Sequence, residues 1–266
     1  MSRKVIIILV MLMEIATLII TLPWTGVAAQ HVGPTVAPSM VDVPLSPPGE
    51  YTYVNPTALR SINELPSRVD LSEGIPPVSS QGNGWDCAAW SVGYYFKTWQ
   101  EYQEHHWDLT DPAHQVSASY LYNLRPYSDC EQDEGMAIPD VLNILRDKGA
   151  APRSVFDSSD PCLVPPPEAD KAAAPFRISS YSAVFIGLGS GDPLAVKQVL
   201  ASENLVIVVV SIYSSFFWVS ANDPVIPMPS PGETYYGRHS LTLVGYNDQI
   251  QAFRTCLLYT SPSPRD

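Results

Sequence analysis

The chain has 266 residues, 45% of them hydrophobic, and carries 15 Lys+Arg against 27 Asp+Glu for a formal net charge of -12. This describes one soluble domain of ordinary size or two small lobes, and the acidic excess leaves nothing to neutralise a run of phosphates, which excludes nucleic acid as a partner. Four cysteines are too few for a disulfide scaffold and the length needs none, while 26 prolines, about twice the usual share of roughly 5%, disfavour long uninterrupted helices.

At the start, Arg3 and Lys4 precede an apolar stretch from Val5 to Leu22 interrupted by Glu14. Val27-Ala28-Ala29 then supplies the small residues that a signal peptidase reads. We read residues 1–29 as a secretory signal peptide cleaved after Ala29. The alternative is an uncleaved anchor, since the stretch just reaches the roughly 17–25 residues a span requires, but Glu14 near its middle opposes that. No membrane span is expected unless this segment is retained. Either way the rest of the chain is expected to be secreted or extracytoplasmic, where disulfides persist.

Residues 30–64 are proline-rich with little periodicity, as in GPTVAPSMVDVPLSPPGEYTYVNP. They read as a linker or short pro-segment, or equally as a strap over the folded part. Residues 87–101 place Ala88, Val92, Tyr95 and Trp99 at helical spacing, with Asp86 as cap and the breakers Gly82 and Gly84 ahead. A second helix is predicted over residues 139–148, with Val141, Leu142 and Leu145 on one face and Gly149 ending it. The cap-then-proline pair Asp192-Pro193 opens a third, running to about Ser202. Gly187, Gly189 and Gly191 lack the residues of a phosphate loop and read as a turn.

Residues 205–213 (LVIVVVSIY) form a β-branched run that reads as a buried strand, and residues 239–246 (HSLTLVGY) alternate like a half-buried one. Helices first and strands later imply an α+β fold in two lobes. Two places carry chemistry. Cys87 opens a predicted helix, where the dipole and unpaired N–H groups favour thiolate, the nucleophilic form. His239 opens a strand, and an imidazole within reach of that thiol would hold it as an ion pair and later protonate a leaving amine.

Taken singly, a cysteine at a helix start or a histidine at a strand end is more often structural. The surrounding motifs change that. LPSRVDLSEGIPPVSSQGNGWDC (65–87) resembles the mature amino terminus of the papain-like cysteine peptidases, where Gln-Gly leads to the nucleophile. HSLTLVGYND (239–248) resembles that family's histidine strand. The resemblance covers roughly residues 65–253, with SASYLYNL (117–124), Gly135, Gly149 and Phe156 following the family's order. It implies a papain-like two-lobed fold, a helical lobe at about 65–180 and a β-barrel-like lobe at about 181–255, with the active-site cleft between them. It also implies Cys87 as nucleophile, His239 as general base and acid, and Gln81 as a side-chain donor to the oxyanion beside the Cys87 backbone N–H. Proteins or peptides would be the substrates, with no cofactor and no metal, and a monomer is expected.

This chain also departs from that pattern. Gly84 stands where the family has a bridging cysteine and Ala88 where it has Trp, with Trp90 read as core filling. Asp86, a charge beside the nucleophile, would partly oppose the thiolate. The asparagine that orients the histidine is expected near residues 255–258 and is absent. Residues 256–266 read as translated sequencing-adapter sequence joined to a truncated frame. With Cys87 catalytic and Cys256 in that tail, Cys130 and Cys162 are expected to be disulfide-bonded, as similar bridges brace the family's helical lobe. His105, His106 and His114 lack the spacing of a zinc site and read as solvated loop residues. The expectation is a secreted cysteine peptidase, with a catalytically inactive secreted or surface binding homologue as the alternative.

Overall fold

The computed structural model describes residues 5–9, 51–54, 59, 65–82, 84–125, 135–185, 192–219 and 224–256. Gly82, at φ +67, turns the chain just before Cys87. There a helix begins as α1 (Cys87–Ala89), widens into a π-helical stretch over Trp90–Lys97, and continues as α2 (Thr98–His105). His106 ends it in the left-handed conformation. Every residue from Cys87 to Glu101 is buried, which is what a helix apolar on nearly all sides requires. Two polar residues inside it satisfy each other: the Lys97 ammonium pairs with the Glu101 carboxylate and donates to Gln100 Oε1 at 2.9 Å.

Around this helix pack α3 (Ala118–Asn123), α4 (Ile138–Asp147) and α5 (Pro167–Ala173), while β2 (Arg68–Asp70) joins the sheet. Ser117 Oγ caps α3 by accepting from Tyr120 N at 2.9 Å. Gly149 ends the α4 region at φ +96, and a Cβ there would lie 2.0 Å from the Ala173 carbonyl oxygen, so only glycine fits. The β lobe contains β3 (Ser180–Phe185), α6 (Pro193–Ala201), β4 (Val206–Tyr213), β5 (Tyr235–Asn247) and β6 (Ala252–Cys256). Asp192 Oδ1 caps α6 by accepting from Leu194 N at 2.8 Å, as its cap-then-proline signature predicts.

The sheet runs β2-β5-β4-β1-β3, with β1 formed by Val5–Leu9 and β6 also paired to β5. β4 and β5 are antiparallel, from Val206 opposite Leu243 to Ile212 opposite Gly237. Leu205, Ile207, Val209 and Val244 join the helical core, whereas Val206, Val208, Leu241, Leu243 and Tyr246 pack with α6 in a second core. Both faces of β4 and β5 are therefore covered. This corrects the half-buried alternation predicted for 239–246, which is buried throughout because the helix that starts at Cys87 lies on one face and α6 on the other.

Two features were not read from the sequence, and a third was read only as one of two alternatives. β1, within the segment predicted to be a leader, pairs in parallel with β3, as a β-branched run suits; the expected cleavage point after Ala29 lies outside the described residues. The end of the proline-rich segment acts as a strap at 51–54, where Val54 N donates to Ala183 O at 2.9 Å and Ala183 N to Thr52 O at 2.8 Å. Finally, β6 carries the sheet through Cys256, whose residue pairs with Thr242, one position beyond the predicted domain end. The glycine turn at 187–191 and residues 257–266 lie outside the described residues. Among the described residues no helix is long and apolar enough to cross a membrane.

The two sequence motifs that carry the resemblance are strand partners. Arg68, Val69 and Asp70 pair with Asn247, Tyr246 and Gly245, and Tyr246 Oη donates to Pro66 O at 2.6 Å. Gly245 is needed for this approach, since a Cβ there would meet Val69 O at 2.2 Å and Val69 C at 3.0 Å. Backbone cannot yield as a side chain can. Gly245→Ala should therefore destabilise the protein by about 1–3 kcal/mol, read as a lower urea midpoint with unchanged slope. An unchanged midpoint would show that β2 is free to move aside.

Candidate active site

Cys87 is the first residue of α1 and is 2% exposed. The helix is seated against β5, where Ser91 Oγ and Ser240 Oγ lie 2.6 Å apart and Thr242 Oγ1 donates to Ser91 O at 3.0 Å. Ser91 lies about one turn beyond Cys87, and Ser240 directly follows His239. The seam thus sets the thiol against the histidine strand, with the Ser240 backbone N–H directed at the sulfur. The structure brings the two predicted residues to the same helix–strand junction.

His239 is 4% exposed and stands opposite Val210 in the β4–β5 ladder. Phe216 walls its ring, edge to face at 6.3 Å between centroids. That phenylalanine is held in a 3-10 turn, Ser214–Trp218, fixed by Glu233, whose carboxylate accepts from Ser215 N at 3.0 Å and Ser230 N at 2.9 Å. Gln81 is half-buried in the loop before the helix, and its Nε2 donates to Gly84 O at 2.7 Å, which fixes the amide. A primary amide has a second N–H to offer.

The predicted electrostatics need two corrections. First, Asp86 occupies the N-cap position without capping: its Oδ2 accepts from the Trp90 indole N–H at 2.9 Å instead. Trp90, read as core filling, is indeed buried, edge to face with Tyr94 at 4.9 Å, and also lines a cleft. Second, the thiol is not held as thiolate. Burial pushes the Cys87 pKa up to about 12 and the Asp86 charge adds to this, outweighing the N–H groups of Ser240, Ala88 and Cys87 that act as the helix-start argument expects. Burial likewise pulls His239 down to about 4. The resting pair is a neutral thiol and a neutral imidazole.

Beside Cys87 a cleft of about 550 Å³ opens between the Gln81 loop and the helical lobe, lined by Asp86, Trp90, Tyr122, Arg153 and Asp157 among others. Sequence reasoning missed Arg153 and Asp157, an i,i+4 pair bonded at 2.7 and 3.0 Å, and the serines of the seam. A polar Ser91 inside an otherwise apolar helix face was the available signal. Of the expected disulfide, Cys130 lies outside the described residues; the free thiols among the described residues are Cys87 and Cys256. Of the histidines read as solvated, His105 and His106 are exposed and His114 is half-buried, and Trp107 stacks between His105 at 4.1 Å and His114 at 4.9 Å.

No protein-family model matches the chain, and no curated protein matches it in sequence. Solved structures do match. Xylellain, a cysteine protease from Xylella fastidiosa, superposes with a TM-score of 0.66 over 82% of this chain and 84% of that one, at 22% identity. Procathepsin B S9 of Trypanosoma congolense gives 0.56 over 81% and 74%, at 15% identity. Digestive procathepsin L 3 from the larval midgut of Tenebrio molitor gives 0.53 over 79% and 62%, also at 15% identity.

Two pH dependences follow. Alkylation of Cys87, followed by peptide mapping, should accelerate with pH beyond pH 9 without a neutral plateau, and Asp86→Asn should speed it at each pH. A plateau below pH 7 would instead reveal a stable ion pair. His239, lowered from 6.5 to about 4 on folding, contributes stability that is present above pH 6.5 and lost as pH falls towards 4, roughly 3 kcal/mol in all. Urea midpoints at pH 7.5 and 4.5 should therefore differ more for the wild type than for His239→Gln.

Proposed function

Because the chain has the papain-like cysteine peptidase fold, we propose that it is a secreted cysteine peptidase acting through a thioester intermediate. The observation that carries this is the seating of Cys87, at a helix start, against the strand of His239. With the resting pair neutral, ionisation accompanies attack. His239 takes the thiol proton as the sulfur bonds to the peptide carbonyl carbon, and the resulting oxyanion receives the Cys87 backbone N–H and the second Gln81 N–H. His239 then gives that proton to the leaving amine as the C–N bond breaks, leaving the thioester. Water, deprotonated by His239, attacks the thioester carbon; the C–S bond breaks and the sulfur regains its proton.

A second reading, an inactive homologue that binds other molecules, is favoured by the burial of the nucleophile and by Asp86 and Ala88 on either side of it. A thiol-directed active-site probe separates the two. Labelling under reducing conditions that disappears in Cys87→Ala supports the peptidase, and its absence supports the binder. In the peptidase, Gln81→Ala should lower kcat by roughly a hundredfold or more with KM little changed. Secretion rests on the leader pattern at 1–29, which amino-terminal sequencing of the exported protein tests at Gln30. The Cys130–Cys162 disulfide is proposed on cysteine usage, and peptide mapping without reduction checks it.

A further inference from the structure

The helical lobe buries an arginine that the peptidase chemistry does not use. Arg125 follows α3 and is 7% exposed. Its guanidinium carbon lies 4.2 Å from the centroid of the Tyr122 ring, and Nη1 donates to Tyr122 O at 3.2 Å and to Pro161 O at 3.1 Å. Nε and Nη2 are buried as well, and among the described residues neither finds an acceptor. We infer that these two groups form a binding site for an oxyanion, a carboxylate or a phosphate, held by two parallel N–H···O bonds.

A guanidinium keeps its charge when buried, and leaving that charge without a counter-charge is strongly destabilising. The bonds that Arg125 makes do not compensate it. Tyr122 O is a carbonyl at the end of α3, and an arginine reaching back to such a carbonyl is a common way to close a helix. That role occupies Nη1 alone. What remains is the side of the group on which Nε–H and one Nη2–H point the same way, spaced to meet two oxygens of a carboxylate or phosphate. The Tyr122 ring against one face and the two carbonyls at Nη1 fix the guanidinium plane. The donors are therefore aimed before a ligand arrives, and little freedom is lost on binding.

The place of this group in the fold says what a bound anion would do. Tyr122 and Asn123 end α3, Pro161 belongs to the turn at 158–163, and all three line the cleft, with Arg125 behind that wall. The turn is tied to α3 by Asn123 Nδ2, which donates to Asp160 O at 2.9 Å and Leu163 O at 2.7 Å, and by Ser158 N, which donates to Ser119 Oγ at 3.0 Å. Arg125 spans the same seam through its two carbonyls. An oxyanion on its free edge offsets the charge buried there and so strengthens the hold of the turn on the helix. The ligand is thus an effector of the cleft wall, not a substrate. Since the net charge of -12 repels anions, contact rather than long-range attraction supplies the affinity.

The test follows urea unfolding of the full chain at increasing phosphate, with sodium chloride adjusted to hold the ionic strength constant. Once the site is filled, each further tenfold in phosphate should raise the folded-to-unfolded ratio of the wild type by about tenfold. Arg125→Met, which removes the charge, and Arg125→Lys, which keeps it but loses the paired donors, should show little of this response. Either variant suffices if the other does not fold. Acetate in place of phosphate separates the two ligand chemistries, the larger response at equal concentration naming the ligand. Residues 126–134, outside the described residues, carry Asp129, Glu131, Asp133 and Glu134. The combined variant Asp129→Asn, Glu131→Gln, Asp133→Asn, Glu134→Gln therefore supplies a competing arm. No response to either anion in the wild type, or an equal response in the Arg125 variants, overturns the assignment. So does a response confined to the combined variant, because a carboxylate of the chain itself would then hold the edge.

Discussion

Two hydroxyls meet in the dry interior where the helix that starts at Cys87 crosses the long strand. Ser91 and Ser240 touch through their Oγ atoms at 2.6 Å, and Thr242 donates to the Ser91 carbonyl at 3.0 Å. Buried hydroxyls are costly unless paired, by about 1–3 kcal/mol each when orphaned, so this contact acts as a register lock. A one-residue slip of the strand would strand the hydroxyls and turn the second-core residues of β5 towards the helix. The apolar residues around the seam, such as Val92, Ile207 and Val244, would tolerate a looser fit. Polar pairing supplies the precision and apolar burial the adhesion, and the position of Cys87 relative to the His239 strand depends on the former.

The acidity of the site is decided by magnitude. A helix start is worth about 0.3–1 kcal/mol to a nearby anion at an exposed site, up to about 2 when partly buried. Moving the thiol from 9.0 to about 12 corresponds to roughly 4 kcal/mol in the other direction. Desolvation therefore prevails, and it does so for the same reason that the seam holds: a helix end pressed tightly enough to be located by two serines is also closed to water. Positional precision and ionisation compete here.

Much of this was legible in the sequence. The helix from Cys87, the α4 helix with its terminal Gly149, the capped start of α6 and the branched strand β4 all follow local rules of periodicity, capping and branching. The fold class follows from their order. What could not be read was set by partners distant in sequence. The alternation of 239–246 suggested one wet face because nothing local says that α6 will cover it. Asp86 looked like a cap because capping is local, whereas its actual partner, Trp90, depends on how that ring is packed by Tyr94 and Arg153. The residue types of the site were evident, but the protonation state of Cys87 was not, since burial is a property of the assembled fold. β6 was missed because its last residues carry no alternation of their own and are ordered by pairing with β5.

The seam also has a history within each molecule's synthesis. Its two serines are separated by 149 positions, so the helix is made long before the strand that seats it. Until that strand is present, Cys87 is an ordinary cysteine in water, ionising near the usual range for a thiol and open to oxidants or to pairing with other cysteines. Docking of β5 closes that interval. It completes a long-range contact of the kind that is slow to form, and in the same step withdraws the sulfur from solvent. The thiol is thus most reactive when the protein is least folded, and completing the fold is what quiets it.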